Sequence, residues 1–287
     1  MALPRSDTST AWPDLAAVAH VHERMLPDPM AQCGISSGAA APACEDREVT
    51  AYESVSTWKQ PPAPPASEMR VRVIDEVTSH VCAIGSGRLR VVVDGLTGAG
   101  KTTFADELAA AIRERRRSTL RASLDDFKHP WRHARAHGYD RVTGEGYYRN
   151  AHDFGSAQTL LLEPSGPTGT GKVVLCAHDP LTGADHRSVV IDAPNDAVLV
   201  VDGVFAMRPE YDEYWDARIW LHAEPAVALT RGIRRDTELE GYDEAVRLHN
   251  TRFRVGEQLY LDEVGPRDKA SIIIDNTDFE HPAIERA

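Results

Sequence analysis

Gly95, Gly100, Lys101 and Thr102 stand in the spacing G-x-x-x-x-G-K-[ST], inside the stretch Asp94-Gly95-Leu96-Thr97-Gly98-Ala99-Gly100-Lys101-Thr102. A loop of this composition turns successive backbone N–H groups inward around phosphate oxygens. Lys101 then reaches the β- and γ-phosphates of a nucleotide, and the Thr102 hydroxyl is placed to ligate Mg²⁺. The nucleotide contacts read from the loop are Gly95, Thr97, Gly98, Ala99, Gly100, Lys101, Thr102 and Thr103, with Mg²⁺ beside a nucleotide whose base the loop alone leaves open. Two carboxylates and an arginine pair complete a set suited to phosphoryl transfer to a hydroxyl. Asp125 can accept the proton of the attacking hydroxyl and orient it. Asp202 can hold a water of the Mg²⁺ shell, so Thr102, Asp125 and Asp202 are the candidate metal groups. Arg231 and Arg235, four apart on one helix face, can neutralise charge that grows on the transferring phosphoryl group. Each has a structural alternative. Asp125-Asp126 is also a helix-capping pair, Asp202 can hydrogen-bond the phosphate loop, and the arginines can form a solvated face with Asp236, Glu238 and Glu240.

These groups need elements to hold them. Arg88–Asp94 (RLRVVVD) reads as a buried strand that ends at the loop, and Thr103–Arg116 carries Phe104, Leu108, Ala111 and Ile112 at helical spacing. Strand, glycine loop and helix therefore follow in the order the phosphate site requires. Ser118–Leu124 reads as a second parallel strand that delivers Asp125 at its carboxyl end, where open α/β sheets bind ligands. Ala197–Asp202, Ala217–Leu221 and Ala270–Asp275 read as the remaining parallel strands, the last closed by Asn276-Thr277-Asp278. Glu68–Ile84 has the apolar face of a helix and ends at Gly85-Ser86-Gly87. Lys128–Phe154, polar and rich in aromatics and histidine, reads as a long active-site loop, and Asp153–Leu162 resumes a helix. Lys172–His178 and Arg187–Asp192 read as an antiparallel hairpin that overhangs the site. Pro225–Glu238 is expected to be a basic helix and Asp243–Glu263 to continue helical.

Composition bounds the partners. A formal charge of −12 over 287 residues opposes a nucleic-acid surface or a polybasic membrane contact, since both need basic excess. No long apolar run or secretory leader is visible, so a cytoplasmic protein is expected. Cys33, Cys44, Cys82 and Cys176 lack metal-ligand spacing and read as free thiols. Residues 1–67, rich in Ala, Ser and Pro and closed by Pro61-Pro62-Ala63-Pro64-Pro65, read as a flexible extension and linker, with one short amphipathic stretch at Asp14–Leu26. The kinase-type domain is expected over 68–287. Self-association is left open.

The rest of the motif set discriminates among phosphate-loop proteins. The N-K-x-D signature of guanine readers is absent. The stretches VVVDGLTGAGKTTFADELA, ASLDDFKHPWRHARAHGYD, EGYYRNAHDF, AVLVVDGVFAMRPEYDEYWDARIWL and GEQLYLDEVGPRDKASIIIDNTD, from about Arg88 to Asp278, resemble the uridine kinase and phosphoribulokinase family of P-loop kinases, in particular uridine kinase-like proteins of high-GC bacteria. The resemblance implies an α/β P-loop NTPase three-layer fold, with a mainly parallel five-stranded sheet and a small β-hairpin and helical lid. It implies ATP-dependent transfer to a small-molecule hydroxyl, first of all a uridine- or cytidine-like nucleoside. Asp125 matches the family's catalytic Asp in D-[SG]-F, here Asp125-Asp126-Phe127, and Asp202 stands where uridine kinases carry Glu in F-E-G-[IV]. Arg231 and Arg235, in LTRGIRRD, match arginines of the lid helix, and Asp153 is similar to the Asp that grips ribose hydroxyls. The acceptor contacts expected are Asp125, Phe127, Tyr148, Asp153 and Arg231, with His178 as a substitute for the family's base reader, and Lys101, Asp125, Arg231 and Arg235 form the catalytic group. The chain departs from the family where uridine kinases read the base with Y-D-F-x-x-H; here the segment is His178-Asp179-Pro180-Leu181-Thr182-Gly183. Another metabolite hydroxyl, of pantothenate, sugar or natural-product type, and a non-catalytic nucleotide-binding regulator are the alternatives.

Overall fold

Residues 49–287 are described by a computed structural model. The Asp14–Leu26 stretch, Cys33, Cys44 and the first 48 residues of the expected extension lie outside the described residues. Among the described residues nine strands are formed: β1 (Ala51–Glu53), β2 (Leu89–Asp94), β3 (Thr119–Ser123), β4 (Lys172–Val173), β5 (Ile191–Asp192), β6 (Val198–Gly203), β7 (Ala217–His222), β8 (Ile272–Asp275) and β9 (Ala283–Arg286). Seven make one sheet in the order β1-β3-β6-β2-β7-β8-β9, and β4-β5 stand apart as a two-residue ladder. The inner five, β3-β6-β2-β7-β8, are all parallel and are the five read from the sequence. Two edges were not foreseen. β1 joins in parallel beside β3, and β9 turns back antiparallel on β8.

Apolar runs in β2, β6 and β8 explain why these inner strands are buried on both faces, as parallel strands covered by crossover helices must be, while β3 and β7 interleave apolar with half-buried polar residues. On one face Val91, Val93, Val198, Val200, Ile219 and Ile274 form a core with Val73, Val77 and Val81 of the helix Glu68–Ala83 and with Phe104, Leu108 and Ile112 of the helix Lys101–Glu114. Residues of the opposite parity, Val92, Leu199, Val201 and Trp220, are buried beneath the second helical layer. The first helix is capped by Ser67, whose hydroxyl accepts from the Arg70 amide at 3.1 Å. Arg70, fully buried, then pairs with Glu107 at 2.7 Å and donates to Asn276 Oδ1 at 2.8 Å. Asn276 in turn donates to the Ala99 carbonyl at 2.7 Å, so the loop after β8 supports the phosphate loop from outside the site.

Three local readings are corrected. Lys128–Phe154 is not a continuous loop: Trp131–Ala136 and Gly144–Asn150 are helical, the second capped by Thr143, whose hydroxyl accepts from the Gly146 amide at 3.0 Å. Short helices of this kind show little periodicity, which is why composition alone read as a loop. The expected hairpin pairs only at its base, through β4 and β5, with a single further bridge between His178 and Asp185 near its tip. Residues 49–67 of the expected linker carry β1, and beyond it the Ser54 hydroxyl donates to Asp126 Oδ2 at 2.5 Å and the Thr57 amide to Asp179 Oδ2 at 2.6 Å. The proline-rich end of that stretch therefore runs over the strand ends rather than away from them. The helices Pro225–Glu240 and Tyr242–Leu248 meet at Gly241, and the second continues through a π-helical turn, His249–Phe253, into Arg254–Val264. Among the described residues no helix is long and apolar enough to cross a membrane, and Cys82 and Cys176 are free thiols.

Candidate active site

The phosphate loop leaves β2 at Asp94 and enters the Lys101–Glu114 helix through Gly100, whose φ of +94° lies in the left-handed region. Gly98 is held at φ +83°, and a side chain there would run into the Ala228 carbonyl. Glycine is required at both points by backbone conformation and by close approach. The N-terminus of the 14-residue helix faces the loop, which makes an anion site. Lys101 Nζ donates to the Leu96 carbonyl at 2.9 Å, inside the curl of its own loop. Burial pushes the Lys101 ammonium below its ordinary pKa, against the pull of Asp94, Glu257, Asp202 and Asp125.

Carboxylates surround this lysine, each with a distinct task in the fold. Asp94 is fully buried and accepts from the amides of Gly95 at 2.7 Å, Ala206 at 3.0 Å and Met207 at 3.1 Å, and from the Tyr260 hydroxyl at 2.5 Å. Burial raises its pKa to about 6. Glu257, reaching in from the Arg254–Val264 helix, accepts from the Thr97 amide at 2.5 Å, and burial pushes its carboxyl up. Asp202, at the end of β6, accepts from the Thr102 hydroxyl at 2.7 Å and is paired with Arg121 at 2.8 Å. Asp125 follows β3 and lies 2.7 Å from Lys128 Nζ. Burial alone would raise Asp125, but the Lys128 ammonium holds it down to about 2, so it is ionised throughout the working pH range. Its neighbour Asp126 is 2% exposed, and burial raises it to about 7.

Lys101, Thr102, Asp125, Asp202 and Arg235 all line one cavity of about 260 Å³, at the carboxyl edge of the sheet. Its other walls come from Trp58 of the N-terminal stretch, Lys128, Trp131, Arg141 and Tyr147, Pro180-Leu181 at the hairpin tip, and Arg252. A larger cavity of about 460 Å³ lies across Thr102 and Asp202, beneath Ser54–Ala63. Arg235 is oriented by Asp236, at 2.6 Å, and Asp236 is held in turn by buried His249 at 2.8 Å. The oxygens of Thr102 and Asp202 are hard donors of the kind Mg²⁺ accepts when phosphate oxygens and waters fill the remaining positions. No group of three or more His, Cys, Asp or Glu side chains is arranged to hold a metal by itself among the described residues, so such an ion would depend on the nucleotide for ligands.

Other expected site residues lie elsewhere. Arg231 donates to the carbonyls of Asn276 at 3.0 Å and Thr277 at 2.8 Å and is absent from the walls of the 260 Å³ cavity. Phe127 is fully buried, and its carbonyl accepts from the Asp153 amide at 2.8 Å. Asp153 caps a helix start, accepting from the Ser156 amide at 3.1 Å and hydroxyl at 2.7 Å. Tyr148 packs inward against Phe205 and Arg208, while its neighbour Tyr147 faces Lys128 and Arg252 on the cavity side. His178 borders a smaller cavity of about 170 Å³ with His129, Trp131 and Arg141, its Nδ1 buried without a partner. The sequence reading missed Trp58, Lys128, Arg141 and Tyr147. Tyr147 was within reach of helical phase once Gly144–Asn150 is known to be a helix; Trp58 had no signal, being placed by a strand in a segment that reads as linker.

Comparisons with known proteins bear on the family and the fold. A model described as the phosphoribulokinase / uridine kinase family matches residues 91–262. No curated protein matches the chain. Two solved structures with provisional descriptions share the fold. One, a uridine kinase from Bacillus stearothermophilus, is 24% identical with a TM-score of 0.53, covering 71% of this chain and 99% of that one. The other, a fructose transport system kinase from a Silicibacter species, is 20% identical with a TM-score of 0.53, covering 66% of this chain and 94% of that one.

Proposed function

The chain belongs to the phosphoribulokinase and uridine kinase family of P-loop kinases, and on that premise we propose that it transfers the γ-phosphoryl group of ATP to a hydroxyl of a small molecule. The observation that carries the reading is the convergence of Lys101, Thr102, Asp125, Asp202 and Arg235 on one cavity. The phosphate loop and Lys101 cradle the phosphates, with the helix N-terminus behind them. Thr102, with Asp202 through a water and Asp125 alongside, would hold Mg²⁺, which when bound neutralises phosphate charge. Asp125, ionised, accepts the hydrogen bond of the acceptor hydroxyl and points its oxygen at the γ-phosphorus. As the new O–P bond forms, the bond to the bridging β–γ oxygen breaks, the hydroxyl proton passes to Asp125, and ADP departs. Arg235, kept in place by Asp236 and His249, offsets negative charge on the transferring group.

The acceptor is read by residues other than a Tyr and His pair, since His178-Asp179-Pro180-Leu181 stands in that segment. Uridine and cytidine are the first acceptors on family grounds, followed by other hydroxyl metabolites. The test is acceptor-dependent ADP release with ATP and Mg²⁺, wild type beside Asp125→Asn. Turnover that falls about 100-fold or more in the variant supports the reading. Nucleotide binding with no acceptor-dependent turnover across the panel sinks it in favour of a regulatory nucleotide binder.

A further inference from the structure

Among the described residues, each cation around the 260 Å³ cavity has a carboxylate partner or, like Lys101, a place inside the phosphate loop, except two. Lys128 is paired with Asp125, Arg235 with Asp236, and Arg121 with Asp202 and Asp106. Arg141 and Arg252 have no carboxylate within ion-pair distance among the described residues, although both border the 260 Å³ cavity. Arg141 is 6% exposed. Its guanidinium donates once, to the His129 carbonyl, and its Nε is buried with no partner. Arg252 spends its Nε on the Arg141 carbonyl at 3.0 Å. The two guanidinium groups also share an aromatic seat: Trp131 takes Arg141 at 4.4 Å and Arg252 at 5.4 Å from its ring centre, and Tyr147 takes Arg252 at 4.6 Å.

A guanidinium does not shed its proton, so burying one without a counter-ion is costly, and placing a second beside it adds repulsion. The titratable groups that act on Arg141 are Arg252, which opposes its charge, and Asp125 and Tyr147, which favour it; burial keeps the Tyr147 phenol neutral, so it offers no counter-ion. Asp140 and Glu240 act on Arg252 from a distance. Burial first, and Arg252 second, push Arg141 down to about 10. A folded chain that keeps such a pair in a cavity wall leaves room for an anion brought by a ligand. The nucleotide phosphates already have Lys101 and the loop amides. Arg141 also borders the 170 Å³ cavity, whose walls contain no phosphate-loop residue.

Resting on the kinase reading above, we infer that Arg141 and Arg252, seated on Trp131, bind an anionic group carried by the acceptor, so that the substrate is a hydroxyl compound bearing a phosphate or carboxylate rather than a neutral nucleoside. Planar guanidinium forks suit both anions. The hydroxyl would sit at Asp125 and the fixed anion at the arginines, which orients the acceptor from both ends.

The first experiment compares uridine, cytidine and ribose with ribose 5-phosphate and uridine 5′-monophosphate, and with glycerate and pantothenate, as acceptors for the full chain. Turnover is expected with the phosphorylated or carboxylated compounds and not with the neutral ones; which of these two sets is used identifies the anion. Arg141→Gln is expected to raise the acceptor KM roughly 10- to 100-fold with kcat and the ATP KM unchanged, and Arg141→Lys to recover part of the loss. Turnover of neutral nucleosides that Arg141→Gln leaves untouched overturns the inference, as does a rise in the ATP KM instead. The second experiment needs no turnover: with the phosphate loop saturated by ADP and Mg²⁺, inorganic phosphate should raise the melting temperature of the wild type and not of Arg252→Gln. Phosphate stabilisation that depends on the arginines, in a protein that phosphorylates nothing, keeps the anion site and removes the kinase reading. Equal stabilisation of both proteins, or of neither, overturns the anion site itself.

Discussion

Asp126→Asn separates the carboxyl that anchors the N-terminal stretch from the one beside it, Asp125, for which the acceptor role is proposed. Asp126 is 2% exposed, accepts from the Ser54 hydroxyl at 2.5 Å, and has its pKa raised from 3.8 to about 7 by burial. Folding therefore increases its proton affinity. Between about pH 4 and pH 7 the folded chain holds a proton at this site that the unfolded chain has released. Stability from this group is fully present below pH 4 and is lost as the pH rises through 7. The interval from 3.8 to about 7 is roughly three pH units, and at 1.36 kcal/mol per unit it corresponds to about 4 kcal/mol, of which about 2–4 kcal/mol is expected after relaxation around the site. Asparagine keeps an oxygen for the Ser54 hydroxyl and does not titrate. Urea midpoints of wild type and variant between pH 4.5 and pH 8.5 are the assay, read as a difference. Asp94, which falls in the same direction over a window of about 4 to 6, is common to both proteins and cancels. The variant should gain about 2–4 kcal/mol on the wild type between the two ends of the range. A difference that does not change with pH would refute the burial argument.

Three further outcomes follow from the geometry. Gly98→Ala should destabilise the fold by about 2 kcal/mol or more in thermal or chemical melts and weaken ADP binding, because φ +83° and the Ala228 carbonyl both oppose a side chain. Asp202→Asn should weaken the apparent Mg²⁺ affinity of turnover about 10- to 100-fold, measured by Mg²⁺ titration at fixed ATP; an unchanged Mg²⁺ curve would leave the residue only its structural bond to Thr102. Trp58→Ala should raise the acceptor KM several-fold, by about 1 kcal/mol of lost contact, with the ATP KM unchanged, since Trp58 lines the 260 Å³ cavity proposed to take the acceptor.

The parts of the site that depend on one strand end were legible in advance. Lys101 and Thr102 follow the Val91–Val93 run through the glycine loop and Asp202 ends the Val198–Val201 run, and such runs commit the chain to a buried parallel strand whose carboxyl end is the ligand edge; Asp125 follows the mixed strand Thr119–Ser123, which was read from its place after the phosphate-loop helix. Arg231 and Arg235 have the same spacing argument but different fates: one reaches the loop after β8, the other the cavity, because Gly232 packs against His249 and fixes the rotation of the helix. That contact joins two helices through a π-helical turn and leaves no periodic trace. Phe127, Tyr148 and Asp153 show a related limit, since adjacent residues on a short helix or turn differ in direction by a large angle, and only the packed structure selects Tyr147 over Tyr148. The acceptor wall was illegible for a different reason. It is assembled from the N-terminal stretch, two short helices, the hairpin tip and the Arg252 turn, whose sequence separations no local pattern encodes.

β1 contributes three residues, Ala51–Glu53, in register with Thr119, Leu120 and Arg121 of β3. Without it the outer flank of β3 would present a row of unpaired amides and carbonyls, a template for another chain. A protein shortened to begin at the Glu68 helix would thus lose more than a tail. It would expose a sticky rim on the sheet, free the Asp126 carboxyl from Ser54 and remove the Trp58 wall in one cut, and its tendency to self-associate would be a property of the cut rather than of the native molecule.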